Sequence, residues 1–310
     1  MKKYAAVFPG QGSQSVGMFA DFMDNEIVAK TYSEANEALG YDLKNITLNG
    51  PEAELNKTEV TQPAILTASV AAFRVLMSKA EKPAALAGHS LGEYSALVAA
   101  GAIDFKDAVK LVRLRGQAMQ EAVPAGVGAM AAILGLEDQV IIDTCKKVSD
   151  DKFKVWAANL NTPGQVVISG NKEAVDKACA EFTTLGAKRV VPLAVSAPSH
   201  CPLMQPAADR LEAALKEINV KDAQIPVFAN AYAKPVVKAS DIIDALVKQL
   251  TQPVRWVETV QALKAEGVEA LVEVGPNKVL SGLARRIDRS LGTANVCNEA
   301  TLAKALEELA

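Results

Sequence analysis

The sequence predicts an α/β fold in which a mainly parallel sheet, covered by helices, carries a smaller inserted unit. Three observations predict it. Apolar runs of strand length alternate with segments of helical period toward both ends of the chain, which is the rhythm of a parallel sheet with crossover helices. Between them lies a βαββαβ succession, the order of a ferredoxin-like unit. A serine between two glycines, Gly88-His89-Ser90-Leu91-Gly92, falls where an apolar strand runs into a helix. At 310 residues the chain can bury a large core and fits one elaborate domain or a domain with an insertion.

The chain opens with an apolar strand, Tyr4–Phe8, ended by Pro9-Gly10. It continues through a helical stretch over 61–76, a short buried strand over 83–87, and helices over 91–100 and 105–122. After Pro124-Ala125-Gly126 the middle reads as strand 130–134, helix 137–148, strand 154–158, strand 165–169, helix 172–185 and strand 189–194. This unit is expected to occupy 126–196 as an insertion, so that 1–125 and 197–310 together form the larger lobe. The chain then returns through helix 201–218, strand 225–229, helices 241–250 and 256–266, strand Ala270–Val274 and a last helix 301–309. Ser90 precedes the insertion and His200 follows it, which places a site in the cleft between the lobes.

The serine motif reads as a nucleophile elbow. A sharp strand-to-helix turn holds its central residue in strained geometry, and its neighbours must be small for strand and helix to approach. Ser90 is thereby pushed into the open. Its hydroxyl sits at the start of the following helix, where free N–H groups and the helix dipole favour the negative charge of acyl transfer. A free alcohol is a weak nucleophile, so a base must remove its proton as it attacks. The Leu91 N–H, immediately after the nucleophile, supplies one oxyanion donor. Glu93 falls in the first helical turn, where the dipole favours a carboxylate, and reads as structural.

Only two histidines are available, His89 and His200. Adjacent residues on a strand point to opposite faces, so His89 projects away from Ser90 and reads as a packing or turn residue. His200 is left as the base, able to return the proton to a leaving group as acid. It lies in Ser196-Ala197-Pro198-Ser199-His200-Cys201-Pro202, whose two prolines and lack of period mark a rigid loop. Without the elbow, such a histidine reads as a satisfied core or surface residue. Gly10-Gln11-Gly12 could open a dinucleotide fingerprint, but Ser15 stands in place of the third glycine. Arg113 and Arg115, two apart on one helix, cannot point the same way. One faces the cleft and the other solvent or a surface acid, and either alone reads as a solvated residue.

The 33 basic and 36 acidic residues leave a net charge of −3, which excludes a general nucleic-acid binder. Cys145, Cys179, Cys201 and Cys297 form neither a Cys-x-x-Cys nor a zinc pattern, so no metal is expected and a reducing cytoplasm fits. The apolar run after Lys2 and Lys3 is too short for a signal-peptide core. No stretch reads as an uninterrupted membrane span.

Taken together the motifs resemble one family, the bacterial malonyl-CoA:acyl-carrier-protein transacylases of type II fatty acid synthesis. The resemblance spans essentially the whole chain. It rests on Phe8-Pro9-Gly10-Gln11-Gly12-Ser13-Gln14, Thr61-Gln62-Pro63-Ala64, Gly88-His89-Ser90-Leu91-Gly92-Glu93, Arg113-Leu114-Arg115-Gly116, Asn161-Thr162-Pro163-Gly164-Gln165, Pro198-Ser199-His200 and Glu273-Val274-Gly275-Pro276.

The resemblance implies an α/β-hydrolase-like large lobe with a ferredoxin-like insertion. It implies ping-pong transfer, in which malonyl-CoA acylates Ser90 and the phosphopantetheine thiol of acyl carrier protein collects the malonyl group. A backbone carbonyl near Gln249 would hold the second nitrogen of His200, although Gln249 reads equally as a surface residue at a helix end. Gln11 would join Leu91 as oxyanion donor. Arg115 would be the inward arginine, its planar fork holding the free malonyl carboxylate. No metal or redox cofactor is implied. Carrier protein is usually acidic, so Lys188, Arg189, Lys278, Arg285 and Arg286 are candidate docking residues, each equally readable as part of a solvated face. Ser199 occupies a position that varies with substrate in related polyketide acyltransferases. A serine thioesterase or hydrolase would use the same elbow and give its acyl group to water. A noncatalytic interaction protein would keep the fold without the joint set of Ser90, His200, Gln11 and Arg115.

Overall fold

The computed structural model describes residues 2–195 and 197–310; Ser196, the expected end of the insertion, lies outside the described residues, as does Met1. The strands are β1 Tyr4–Phe8, β2 Ala85–Gly88, β3 Gly128–Leu134, β4 Val155–Thr162, β5 Gln165–Asn171, β6 Arg189–Pro192, β7 Val227–Ala229, β8 Lys234–Val236, β9 Ala270–Val274 and β10 Gly292–Val296. They form two sheets. The larger runs β10-β9-β1-β2-β7-β8 and is parallel throughout except for the β7–β8 hairpin. The smaller runs β4-β5-β3-β6 and is antiparallel.

Composition explains the division. β1 and β9 are buried along their whole length, as a parallel sheet covered on both faces requires, and they pair in register from Tyr4 with Ala270 to Val7 with Glu273. β3 instead mixes buried and half-buried positions. One face of the small sheet packs Ile133, Val166 and Ile168 against Ile141, Val175 and Phe182 of the helices Asp138–Val148 and Lys172–Thr184. Its other face presents Met130 and Val167 to the cleft. Backbone bonds from Leu160 N to Val254 O (2.9 Å) and from Val254 N to Ala158 O (2.8 Å) tie β4 to the main body.

Several expectations are corrected. The helix Thr58–Met77 is long and apolar enough to cross a membrane by length and composition, contrary to the reading that no stretch is; 89% of that window is buried inside the protein. It is a core helix. The helices Glu26–Leu39, Leu43–Asn49 and Glu52–Leu55 fill a region given no elements by the sequence, and Asn25 caps the first of them through Ile27 N. The helix Val279–Ile287 and the edge strand β10 were likewise absent from that reading. The expected helix over 201–218 is a 3-10 turn, Pro202–Met204, followed by an α-helix, Gln205–Lys216, because Pro206 sits at the start of the latter. The strand over 189–194 ends at Pro192.

This fold gathers the carboxyl ends of β1, β2 and β7 beside one another, the position where open parallel sheets place their sites.

Candidate active site

The elbow is built by sterics. A Cβ on Gly88 would lie 1.9 Å from the Gly92 carbonyl carbon, and one on Gly92 would lie 2.0 Å from the Phe8 oxygen, so β1, β2 and the helix Gly92–Ala99 meet only with glycine at both places. The turn between them puts Ser90 at φ 52, in the left-handed region that non-glycine residues seldom enter.

His200 also sits in the left-handed region, at φ 58, and meets Ser90 in the same cavity. Its Nε2 lies 2.8 Å from Ser90 Oγ, and its Nδ1 lies 2.8 Å from the Gln249 carbonyl oxygen. A carbonyl only accepts, so Nδ1 donates to it and Nε2 is left to accept from the serine hydroxyl. The carbonyl is free for this task because Gln249 lies in the last turn of the helix Ala239–Thr251, and the residue four further on is Pro253, which has no N–H. His200 is 3% exposed. Burial, then the nearby Arg115 charge, push its imidazole down to about 3, so it is neutral at physiological pH.

Arg115 is 1% exposed on the helix Phe105–Glu121. Its guanidinium donates to Gln62 Oε1 at 2.9 Å, Gln249 Oε1 at 2.9 Å and Ser90 Oγ at 3.2 Å, and it lies 5.3 Å from the Tyr94 ring centroid. Arg113 turns away: it is half-buried, and its guanidinium lies 5.2 Å from the Tyr41 ring centroid. Gln249 is fully buried, which decides against the surface reading. Its side chain, beyond the carbonyl, donates from Nε2 to Ser90 O at 2.9 Å and to Glu93 Oε2 at 2.8 Å.

Gln11, exposed, and Leu91, fully buried, line the same cavity as Ser90. Among the described residues, neither of their backbone N–H groups has an intramolecular acceptor. The cavity measures about 740 Å³, within the range of small-molecule sites, and the small sheet supplies one wall. His89 lines it too, with Nε2 donating to Asn161 Oδ1 at 2.8 Å and its ring 5.6 Å from Trp256. Burial lowers its pKa. Ser199, half-buried, also lines the cavity. Lys188, Arg189, Lys278, Arg285 and Arg286 are all exposed. Among the described residues no cluster of three or more His, Cys, Asp or Glu side chains could hold a metal ion.

Three participants escaped the sequence reading. Gln62 lay within a quoted motif, but nothing in its pattern pointed it at Arg115. Glu93 was read only as a helix-end carboxylate, yet it is buried and accepts two hydrogen bonds. Asn230 follows β7, and the available signal was a polar side chain at the carboxyl end of a buried parallel strand.

Comparison with known proteins gives the family. An acyl transferase domain family matches residues 6–306. The malonyl CoA-acyl carrier protein transacylase of Escherichia coli strain K12 is 54% identical over 99% of this chain and 100% of its own length. That of Bacillus subtilis is 46% identical over 100% and 98%. Among solved structures, the Coxiella burnetii transacylase superposes with a TM-score of 0.97 at 46% identity, covering 99% of this chain and 98% of its own. A malonyl-transacylase in complex with a type II polyketide acyl-carrier protein gives 0.96 at 52% identity, covering 98% and 99%. The chain belongs to the acyltransferase family of the malonyl-CoA:acyl-carrier-protein transacylases.

Proposed function

We propose that this chain moves the malonyl group from malonyl-CoA to the phosphopantetheine thiol of acyl carrier protein, in two steps through Ser90, for fatty acid synthesis. The observation that carries the reading is the arrangement around one oxygen: Ser90 Oγ has His200 Nε2 at 2.8 Å and the Arg115 guanidinium at 3.2 Å. In the first step Oγ attacks the thioester carbonyl as His200 takes its proton. The Gln11 and Leu91 N–H groups receive the oxyanion, the carbon–sulfur bond breaks, and His200 protonates the departing CoA thiolate. The second step is the reverse, with the carrier thiol as nucleophile. The Gln249 carbonyl holds the imidazolium through Nδ1–H in both.

Arg115 accounts for the acyl group. The malonyl carboxylate lies two carbons beyond the reacting carbonyl, within reach of a guanidinium already beside Oγ, and a planar fork matches it with two hydrogen bonds. Residues 1–125 and 197–310 are read as an α/β-hydrolase-like lobe, and 126–196 as an inserted ferredoxin-like lobe, a reading supported by the β4-β5-β3-β6 order. The exposed Lys188, Arg189, Lys278, Arg285 and Arg286 are assigned to carrier docking. Four free cysteines support a reducing cytoplasm.

The test is intact-protein mass spectrometry. Malonyl-CoA should add one malonyl group to the wild type and none to Ser90→Ala, and the group should pass to holo carrier protein faster than to water. Loss to water at the same rate with and without carrier would make the protein a thioesterase.

A further inference from the structure

The backbone N–H of Ser90, in its disfavoured conformation, is held by a buried side chain. Asn230 is fully buried just past β7, and its amide spans the elbow. Oδ1 accepts from Ser90 N–H at 2.7 Å, while Nδ2 donates to Gly88 O at 2.6 Å. The two bonds fix the chain on either side of His89, where β2 enters the turn. The main chain of Asn230 is fixed in turn, since its N–H donates to Glu93 Oε2 at 3.0 Å and its C=O accepts from Arg255 N at 3.1 Å.

Glu93 joins this clamp to the histidine side. The oxygen that accepts from Asn230 also accepts from Gln249 Nε2 at 2.8 Å, and that same nitrogen donates to Ser90 O. The carbonyl of Gln249 is the group that orients His200. One carboxylate oxygen therefore links the residue that sets the serine to the residue that sets the base. We propose that Asn230 and Glu93 are the positioning residues of the Ser90–His200 pair, holding Oγ and Nε2 in register for proton transfer. The proposal rests on the reading of Ser90 as nucleophile.

Burial raises the Glu93 carboxyl to about 7, with the Asn230 and Gln249 bonds opposing that rise. The clamp tolerates either state, because Oε2 accepts whether or not Oε1 carries a proton. A glutamine with its oxygen in the place of Oε2 can therefore take both donors. Displacement of a reacting group by about 1 Å is enough to slow chemistry roughly hundredfold.

The experiment is single-turnover malonylation by quenched flow with mass detection, together with KM for malonyl-CoA and thermal denaturation. Asn230→Ala should slow acylation roughly hundredfold with KM little changed. Glu93→Ala should slow it less, and Glu93→Gln should recover most of that loss. Wild-type acylation in Asn230→Ala, with only a lowered melting temperature, would overturn the proposal and leave Asn230 a structural residue. Should Asn230→Ala fail to fold, the Glu93 pair decides: equal rates in the Ala and Gln variants overturn the proposal. Ser90→Ala separates the two levels. An adduct on that variant removes the nucleophile itself, whereas no adduct there combined with full speed in Asn230→Ala removes only the clamp.

Discussion

Replacing Arg115 by alanine tests how the site chooses its acyl group. Arg115 is 1% exposed, and its guanidinium donates to neutral oxygens of Gln62, Gln249 and Ser90. A malonyl group supplies a carboxylate in addition. Arg115→Ala leaves that carboxylate in a partly dry cavity without its cation, at the roughly 2–5 kcal/mol usual for truncating one member of a buried charge pair. At about 1.4 kcal/mol per tenfold, malonyl transfer should fall by between roughly thirtyfold and a few thousandfold. Part of any loss is indifferent to the acyl group, because Gln62 and Gln249 lose a donor and Ser90 loses a neighbour. That part appears equally with acetyl-CoA. The informative quantity is therefore the ratio of kcat/KM for the two donors, which should collapse toward one or invert in Arg115→Ala and remain unchanged in Arg113→Ala. Arg115→Lys should fall between, since an ammonium keeps the charge without the fork. An equal loss for both donors in Arg115→Ala would show that the arginine supports structure and does not read the substrate.

His200→Ala should lower transfer at least the roughly hundredfold typical of general-base loss, whereas His89→Ala should act mainly on stability through its Asn161 bond and Trp256 contact; steady-state rates beside melting curves distinguish the two. His200 is held at about 3, so the acid limb of the acylation rate should lie well below the ordinary imidazole range, and a limb near 6.5 in a pH–rate profile would contradict a buried neutral base. The same depression gives stability that is complete above about 6.5 and is lost as pH falls toward 3. Glu93 has the opposite sign: its carboxyl is raised from 4.5 to about 7, so stability present below 4.5 is lost as pH rises through 7, by up to about 3 kcal/mol. Denaturant titrations of Glu93→Gln should lack that alkaline loss, and an unchanged pH slope would remove Glu93 as its source.

The parts legible in the sequence were those with a local cause. Gly88 and Gly92 announce the elbow because no side chain fits where β1, β2 and the helix meet. The scarcity of histidine singles out His200. The β3-to-β6 unit shows through its alternation of strand and helix. Other parts depend on contacts across the chain. Asn230 is one polar residue after a three-residue strand, and only the pairing of β7 with β2 brings it to Ser90. Gln62 meets Arg115 because two helices cross closely at Gly116, where a Cβ would lie 2.8 Å from Glu59 Cα. The helix Glu26–Leu39 was legible and passed over, since Val28, Thr31, Tyr32, Ala35 and Leu39 recur at helical spacing behind an Asn cap. The edge strand β10, Gly-Thr-Ala-Asn-Val and mostly half-buried, carries little strand signal of its own.

The placement of charge in this site follows from what a selective cation requires. A carboxylate in direct contact with Arg115 would satisfy the guanidinium and compete with the substrate for it. Glu93 is instead kept one amide away: Gln249 accepts from Arg115 through Oε1 and donates to Glu93 through Nε2. The buried cation is thus partly compensated, yet its direct partners are neutral oxygens that a carboxylate outcompetes, because a charged acceptor makes the stronger bond. His200 feels the same arrangement. Burial, then the Arg115 charge, hold its imidazole down, and under the proposed assignment a malonyl carboxylate against the guanidinium would offset that cation just as the base accepts the Ser90 proton. Under the proposed assignment an acetyl group brings no such offset, so the carboxylate serves both binding and proton transfer, and discrimination enters the chemical step as well as the affinity.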